Sequence, residues 1–145
     1  MRFDFSHFAP ITPDELLRIE RRVNQMIRDN HGAETQVLPI EEAKKTGAVS
    51  MFGEKYGAVV RVVQVHTSSK EFCGGTHVRS TAEIGPFVIL SEGSVGSGAR
   101  RIEAVTAGEA WTVLEGRSKE LEVVRAALEE ARREQKRPAS AGSGP

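Results

Sequence analysis

The sequence predicts an α+β fold with a mostly antiparallel sheet, packed helices and one long C-terminal helix. Three observations lead to this prediction: a helix-period segment near the N-terminus, several β-branched segments in the middle of the chain, and apolar residues at heptad spacing towards the C-terminus. The 145 residues, of which 39% are hydrophobic and 28% charged, match the length and composition of one ordinary globular domain.

The N-terminal region predicts a strand followed by a helix. Residues 2–8, RFDFSHF, alternate apolar and polar side chains, which is typical of a half-buried strand. A helix is predicted from Thr12 to Asn30, because Thr12 and Glu15 have the spacing of a capping box and Pro13 suits the first helical position. Its apolar residues recur on one face, and an Asn-His-Gly sequence ends it.

The middle of the chain predicts a set of strands. Residues 35–40, TQVLPI, form a short strand candidate, and the next few residues suit a short helix. Residues 57–65, GAVVRVVQV, are β-branched and nearly continuous, which indicates a central strand with both faces covered. Residues 85–92 and 98–105 predict two further strands, joined by a loop of sequence GSVGS.

The C-terminal region predicts one long helix. Thr106 and Glu109 have the spacing of a second capping box, and the helical pattern continues to about Lys136. Apolar residues at heptad positions form a short seam along it. Leu114, Leu121 and Leu128 recur every seven residues, and Ala110, Val124 and Ala131 occupy the second set of seam positions, which Arg117 interrupts. The seam suits pairing with a partner helix, and equally an amphipathic helix lying on its own domain.

Bulk composition excludes several classes of function. The formal net charge is zero, from 20 basic and 20 acidic residues, so a nucleic acid would have to be held at a few points. No apolar run approaches the roughly 20 residues of a membrane span, and the N-terminus lacks the apolar core of a signal peptide. A single cysteine cannot form an internal disulfide. These features predict a cytoplasmic protein without membrane contact.

The only cysteine lies in the sequence EFCGGTHV, four residues before a histidine. Cys73 and His77 are both good zinc ligands, and the Gly74-Gly75 pair between them would let the backbone fold both towards one ion. A thiol activated by a neighbouring imidazole is a second interpretation, although the sequence marks no third group to orient His77. A third is a tight turn that contains a small buried thiol.

A glycine-rich segment with two arginines is the other candidate site. Gly93, Gly96 and Gly98 could expose backbone N–H groups to a phosphate, with Arg100 and Arg101 close by. The alternative is a hairpin loop followed by a strand that carries its arginines on the solvent face.

Three stretches resemble the editing domain of alanyl-tRNA synthetase: RFDFSHF, EFCGGTHV and IGPFVILSEGSVGSGARRIEAVT. This domain is shared with free-standing alanyl-tRNA trans-editing proteins and with threonyl-tRNA synthetase, and the resemblance covers roughly residues 2–130. It implies hydrolysis of mischarged seryl- or glycyl-tRNA(Ala), in a parent protein that binds ATP and ligates alanine at a separate site. It predicts three regions: an incomplete editing-type domain over 1–105, a long helix over 106–136, and a disordered tail over 137–145.

The resemblance also implies residue roles. Cys73 and His77 correspond to two zinc ligands of the editing site, and Thr76 lies beside them as a further catalytic residue. Arg100 and Arg101, with Gly96 and Gly98, become candidate contacts to the tRNA acceptor end. The implied partners are tRNA(Ala), the rest of the synthetase chain and a second copy bound through the C-terminal helix.

The family takes its other zinc ligands from an upstream His-x3-His motif, and no two histidines here stand four apart. We therefore expect this segment to lack the upstream part of the module, to bind zinc weakly or not at all, and to have little hydrolase activity alone. His66 is a candidate for a third ligand. A non-catalytic tRNA-binding or assembly fragment and a free-standing trans-editing protein are the alternative functions.

Overall fold

The computed structural model describes residues 1–50 and 56–136 and confirms the α+β class. Its strands form two three-stranded antiparallel sheets, where the sequence predicted one. In chain order the elements are β1 (Arg2–Ser6), α1 (Pro13–Arg28), β2 (Ala33–Pro39), α2 (Ile40–Lys45), β3 (Val59–Val65), β4 (Ser69–Phe72), β5 (Phe87–Gly96), β6 (Ala99–Thr106) and α3 (Ala107–Gln135). The tail predicted over 137–145 lies outside the described residues.

The first sheet has the order β1-β6-β5 and packs against α1. Its core contains Ile89 and Ile102 from the sheet and Ile27 from the helix. The predicted capping box is confirmed, since Thr12 and Glu15 bond to each other's backbone N–H groups. Asn24 pins α1 to β5, because its side-chain amide both donates to the carbonyl and accepts from the N–H of Phe87, at 2.7 and 3.0 Å.

The second sheet has the order β2-β3-β4, so the prediction of a central strand over residues 57–65 is confirmed in its core. Successive residues of β3, Val62 and Val63, are both buried, which places apolar cover on both faces. Phe72 of β4 and Ala43 of α2 complete this second core. The sequence analysis missed β4, because Ser69–Phe72 is short and carries mostly polar side chains.

The two sheets are joined through Thr81, the one polar residue within 1–50 and 56–136 that is buried as a whole. Its hydroxyl donates to the carbonyl of Met26 at 2.8 Å and accepts from the N–H of His31 at 2.9 Å. Gly32 and Ser80 form an isolated antiparallel bridge beside it. These bonds fix the start of β2 against the segment that leads into β5.

The prediction of a loop at residues 93–97, GSVGS, is wrong, because most of these residues belong to β5. Strand β5 continues to Gly96 with two register shifts against β6, and the chain reverses at residues 97–98. Gly98 has a positive φ of 67°, which suits glycine at this turn. The segment is therefore a hairpin, in which β5 stays paired with β6 as far as Gly96, rather than an open loop.

The second predicted capping box does not form. Thr106 is still paired with Phe87 in the sheet, and its side chain makes no capping hydrogen bond. The chain turns instead at Ala107, which has a φ of 52° and donates its N–H to the carbonyl of Pro86 at 3.2 Å. The long helix itself is confirmed as α3.

Helix α3 packs on the first sheet only at its N-terminal end. Ala110 is fully buried, and Arg117 donates from Nη2 to the carbonyl of Ile89 at 3.0 Å. Every residue from 117 to 136 is exposed, including the seam residues Leu121, Val124 and Leu128. The alternative of an amphipathic helix lying on its own domain is therefore correct only for the first turns of α3. Within residues 1–50 and 56–136, no helix is both long and apolar enough to cross a membrane.

Candidate metal centre

Three side chains with metal-binding atoms cluster at the end of β4. Glu71 and Cys73 are two residues apart in extended chain, so both project to the same side of the sheet. The turn that follows brings His77 back, and its Nε2 lies 3.1 Å from Cys73 Sγ. One donor atom from each of the three residues lies within 4.8 Å of the others. Cys73 is half-buried, whereas Glu71 and His77 are exposed.

The backbone around this cluster is held by Arg61 of β3. The N–H of Cys73 donates to the carbonyl of Arg61 at 3.0 Å. The Arg61 guanidinium donates in turn to the carbonyl oxygens of Cys73, at 3.4 Å, and of Gly75. On the other side of β4, the N–H of Phe72 donates to the carbonyl of Val49 at 2.9 Å. The first part of the Cys73 turn, as far as Gly75, is therefore tied to β3 of the second sheet.

The glycine pair leaves the thiol accessible rather than enabling a left-handed turn. Neither Gly74 nor Gly75 is among the residues with positive φ. A methyl group at Gly75 would stand 3.5 Å from Cys73 Sγ, whereas one at Gly74 would meet no atom within 4 Å. A side chain at Gly75 would therefore pack directly against the sulfur.

The donor set fits zinc. Thiolate sulfur, imidazole nitrogen and carboxylate oxygen are the three ligand types that zinc takes in proteins. Three protein ligands with a fourth position left for water or substrate is the arrangement found in hydrolytic zinc sites. Glu71, Cys73 and His77 supply three such atoms at the surface, where a substrate can reach them.

His66, the candidate for a third ligand, lies outside this cluster. It stacks on the ring of His31, with centroids 4.2 Å apart and planes inclined by 26°. Its Nδ1 lies 3.1 Å from the hydroxyl of Ser68. The third donor is Glu71, which the sequence analysis missed although the pattern Glu-x-Cys on a strand places both side chains on one face. Thr76 lies exposed within the same turn.

The arginines predicted to contact nucleic acid lie on the other sheet, and both bind carboxylates. Arg100 makes a two-point ion pair with Glu92, with Nη2 to Oε2 at 2.8 Å, and their side chains are only 12% and 5% exposed. Arg101 pairs with Asp4 through two contacts of 2.6 and 2.8 Å. The hydrogen bonds from Arg100 lower the pKa of the Glu92 carboxyl below its ordinary value.

The hairpin accounts for Gly98 but not for Gly96, where an added methyl group would meet no atom within 4 Å. Gly96 pairs with Ala99 in the ladder. A methyl group at Gly98 would come within 3.0 Å of the Phe8 ring, and the left-handed backbone there already disfavours any side chain.

Comparison with known proteins places this cluster within a named domain. Residues 60–103 match the family model described as the threonyl and alanyl tRNA synthetase second additional domain. This segment runs from β3 into β6 and contains the Glu71, Cys73 and His77 cluster. The chain is also 60% identical over 106 residues to the alanine–tRNA ligase of Myxococcus xanthus and 53% identical over 121 residues to that of Anaeromyxobacter dehalogenans.

The chain is homologous to a segment of alanine–tRNA ligase. The alignments cover 73% and 83% of this chain but only 12% and 13% of the two ligases. The ligase of Idiomarina loihiensis gives the same picture, with 56% identity over 110 residues and 13% of its length covered. The resemblance seen in the sequence motifs is thereby confirmed.

Proposed function

We propose that this segment supplies part of the editing site of a cytoplasmic alanine–tRNA ligase, where mischarged seryl- or glycyl-tRNA(Ala) is hydrolysed. The observation that carries the proposal is the Glu71, Cys73 and His77 cluster, three donors that converge on one exposed point. The homology to alanine–tRNA ligase supports the substrate class, since an enzyme that activates alanine needs a second step to remove smaller or hydroxylated competitors.

A zinc ion at this cluster would polarise the ester carbonyl or a bound water. The chain's own residues then have defined tasks. Cys73 would hold the ion through Sγ and His77 through Nε2, since these atoms already lie 3.1 Å apart. Arg61 keeps the turn in place by binding its carbonyl oxygens. Thr76, exposed in the same turn, would offer its hydroxyl to the amino-acid end of the substrate.

The acceptor end of the tRNA and the rest of the synthetase chain are the proposed partners. Arg100 and Arg101, with Gly96 and Gly98, stay proposed contacts to the acceptor end, although each arginine already binds a carboxylate. An RNA phosphate at these positions would have to compete with Glu92 or Asp4. We expect this segment to hold zinc more weakly, and to hydrolyse more slowly, than the ligase of which it forms part.

The test is Cys73→Ala in the ligase that contains this segment. We expect loss of the zinc bound at this site after dialysis and loss of serine release from seryl-tRNA(Ala), because the ester would lack its activating ion. The control is ligation of alanine to tRNA(Ala), which should proceed unchanged because it occurs at a separate site. Serine release at the unmodified rate in Cys73→Ala would refute the proposal.

A second candidate function is assembly without catalysis, favoured by the exposed seam of α3. Leu121, Val124 and Leu128 are 51%, 62% and 49% exposed, so an apolar strip faces solvent along this helix. Exposed apolar strips of this kind usually mark an interface. Metal content and serine release separate the two functions, since an assembly fragment needs neither.

A further inference from the structure

Four arginines lie on the solvent face of α1. Arg18, Arg21, Arg22 and Arg28 are all exposed. Spacings of three, four and seven residues place them on one side of a helix with 3.6 residues per turn. The opposite side carries Ile27, which is buried in the first core. Because the Asn24 side chain fixes α1 against β5, this arginine face is held outward.

The acidic residues of the same helix offset this face only in part, because two exposed carboxylates, Asp14 and Glu15, stand at its start beside four arginines. Glu15 accepts from the backbone N–H and the hydroxyl of Thr12, at 2.9 and 2.8 Å, so it caps the helix. Glu20 accepts from the N–H of Ile89 at 2.7 Å and therefore points to the sheet. Among the described residues, none of the ion pairs involves Arg18, Arg21 or Arg22.

The arginines also border a concave surface. Arg18, Arg21 and Arg22 line an open cavity of about 670 Å³, together with one carboxylate, Glu15, and the apolar side chains of Ile11, Ile19 and Val23. A lining with three arginines, one carboxylate and several apolar side chains suits a sugar–phosphate chain, which presents charged oxygens and the less polar faces of its riboses. Arg100 and Arg101, in contrast, have their charges matched by Glu92 and Asp4.

We propose that this arginine face, Arg18, Arg21, Arg22 and Arg28, binds the phosphate backbone of the tRNA. The proposal rests on the proposed function for its choice of RNA as the polyanion. Ten residues separate Arg18 from Arg28, which corresponds to about 15 Å along the helix and spans several successive phosphates. A planar guanidinium can bind a phosphate through two hydrogen bonds. Since the whole chain has no net charge, such a local face is what would attract RNA.

The test compares this chain with its Arg18→Gln, Arg21→Gln, Arg22→Gln triple variant. Binding of a tRNA(Ala) transcript is followed by fluorescence anisotropy over a range of salt concentrations. Each phosphate contact contributes about 0.7–0.9 to the slope of log affinity against log salt. We therefore expect the triple variant to bind more weakly and to lose about 2–3 from this slope. Lysine at the same three positions should keep most of the slope, because the charges remain.

A matched control removes three positive charges elsewhere. Lys119, Arg125 and Arg132 are exposed on α3, and their replacement by glutamine should leave the slope unchanged. Three results would each overturn the proposal: no tRNA binding by the unmodified chain, an unchanged slope in the α1 triple variant, or an equal loss in the α3 control. Zinc content should be the same in all variants, so failure at the metal centre and failure at the arginine face are distinguishable.

Discussion

Glu71 is the residue whose role at the metal centre is most open to a direct test. It lies two residues before Cys73 on the same side of the strand, and its carboxylate lies within 4.8 Å of the thiol and imidazole donors. The Glu71 carboxylate would strengthen metal binding either as a ligand of the ion or as a hydrogen-bond partner of the His77 ring. Glu71→Gln removes the negative charge while keeping nearly the same shape.

We expect Glu71→Gln to weaken the binding of divalent metal to this chain by about 10–100-fold. Cobalt is the useful probe, because a cysteine thiolate bound to Co²⁺ gives a charge-transfer absorption that reports on Cys73 directly. Glu34→Gln, an exposed carboxylate on β2 of the same sheet, is the matched control and should bind as the unmodified chain does. His66→Ala should also have no effect, and a loss there would restore His66 as a ligand.

Ala107 explains a second local feature, the way in which α3 begins. As a non-glycine residue with a φ of 52°, it occupies a region that costs roughly 1–2 kcal/mol for a residue with a side chain. The space around it is tight, since a methyl group added at Gly85 would lie only 3.2 Å from the Ala107 Cα. We expect Ala107→Gly to raise the free energy of unfolding by about 1 kcal/mol, measured by urea denaturation. An unchanged or lower value would show that the strain is offset elsewhere.

At the scale of elements, the β5–β6 hairpin is stabilised by the ion pair between Glu92 and Arg100. The hydrogen bonds from Arg100 lower the pKa of Glu92 below its ordinary value of 4.5. A carboxyl group with a lowered folded-state pKa contributes stability above its unfolded-state pKa. That contribution is lost as the pH falls through the folded-state pKa.

We therefore expect Arg100→Gln to be less stable than the unmodified chain at pH 7 and to lose less of its stability on acidification below about pH 4.5. Urea midpoints measured across this range give the comparison. Arg101→Gln is the matched control, because the Arg101–Asp4 pair is more exposed, with side chains 34% and 52% accessible, and so should matter less. Parallel stability curves for Arg100→Gln and the unmodified chain would contradict the argument.

Elements with strong local signals could be predicted from the sequence, and elements that depend on distant partners could not. Helix α1 has its capping box and periodic apolar face within one segment, and both formed as predicted. Strand β4 is short and polar, so its existence depends on pairing with β3. Likewise the junction between the two sheets depends on Thr81, which binds residues 50 and 55 positions away along the chain.

The same difference between local signals and distant partners applies to the residues of the candidate site. The Cys73–His77 pair was predictable because both ligand types stand at a recognisable spacing. Glu71 and Arg61 were missed, since one needs the strand assignment and the other needs the β3–β4 pairing to reach the turn. Arg100 and Arg101 were predicted as contacts to a phosphate, and their ion pairs were missed because nothing in the local sequence shows that β6 lies between strands carrying Glu92 and Asp4.

At the scale of the whole molecule, α3 extends beyond the domain that it starts from. Arg117 is its last residue with a described contact to the sheet, and the apolar seam beyond it is open to solvent. A second copy of the helix is the partner that the seam itself suggests. In a parallel, in-register pair Glu120 on one helix faces Arg125 on the other, whereas an antiparallel pair would set glutamates and arginines against their own kind.

We predict that α3 forms a parallel pair between two copies and that Leu121→Ser together with Leu128→Ser dissociates it, as measured by sedimentation equilibrium. The substituted side chains are half exposed in one copy, 51% and 49%, so the thermal unfolding of the single domain should change little. Ala131 lies at a seam position that meets its own counterpart only in a parallel pair. Ala131→Cys, in a chain that also carries Cys73→Ala, should therefore form an intermolecular disulfide under oxidising conditions. A strict monomer at high concentration would contradict the pairing, and a dimer without the disulfide would contradict its parallel orientation.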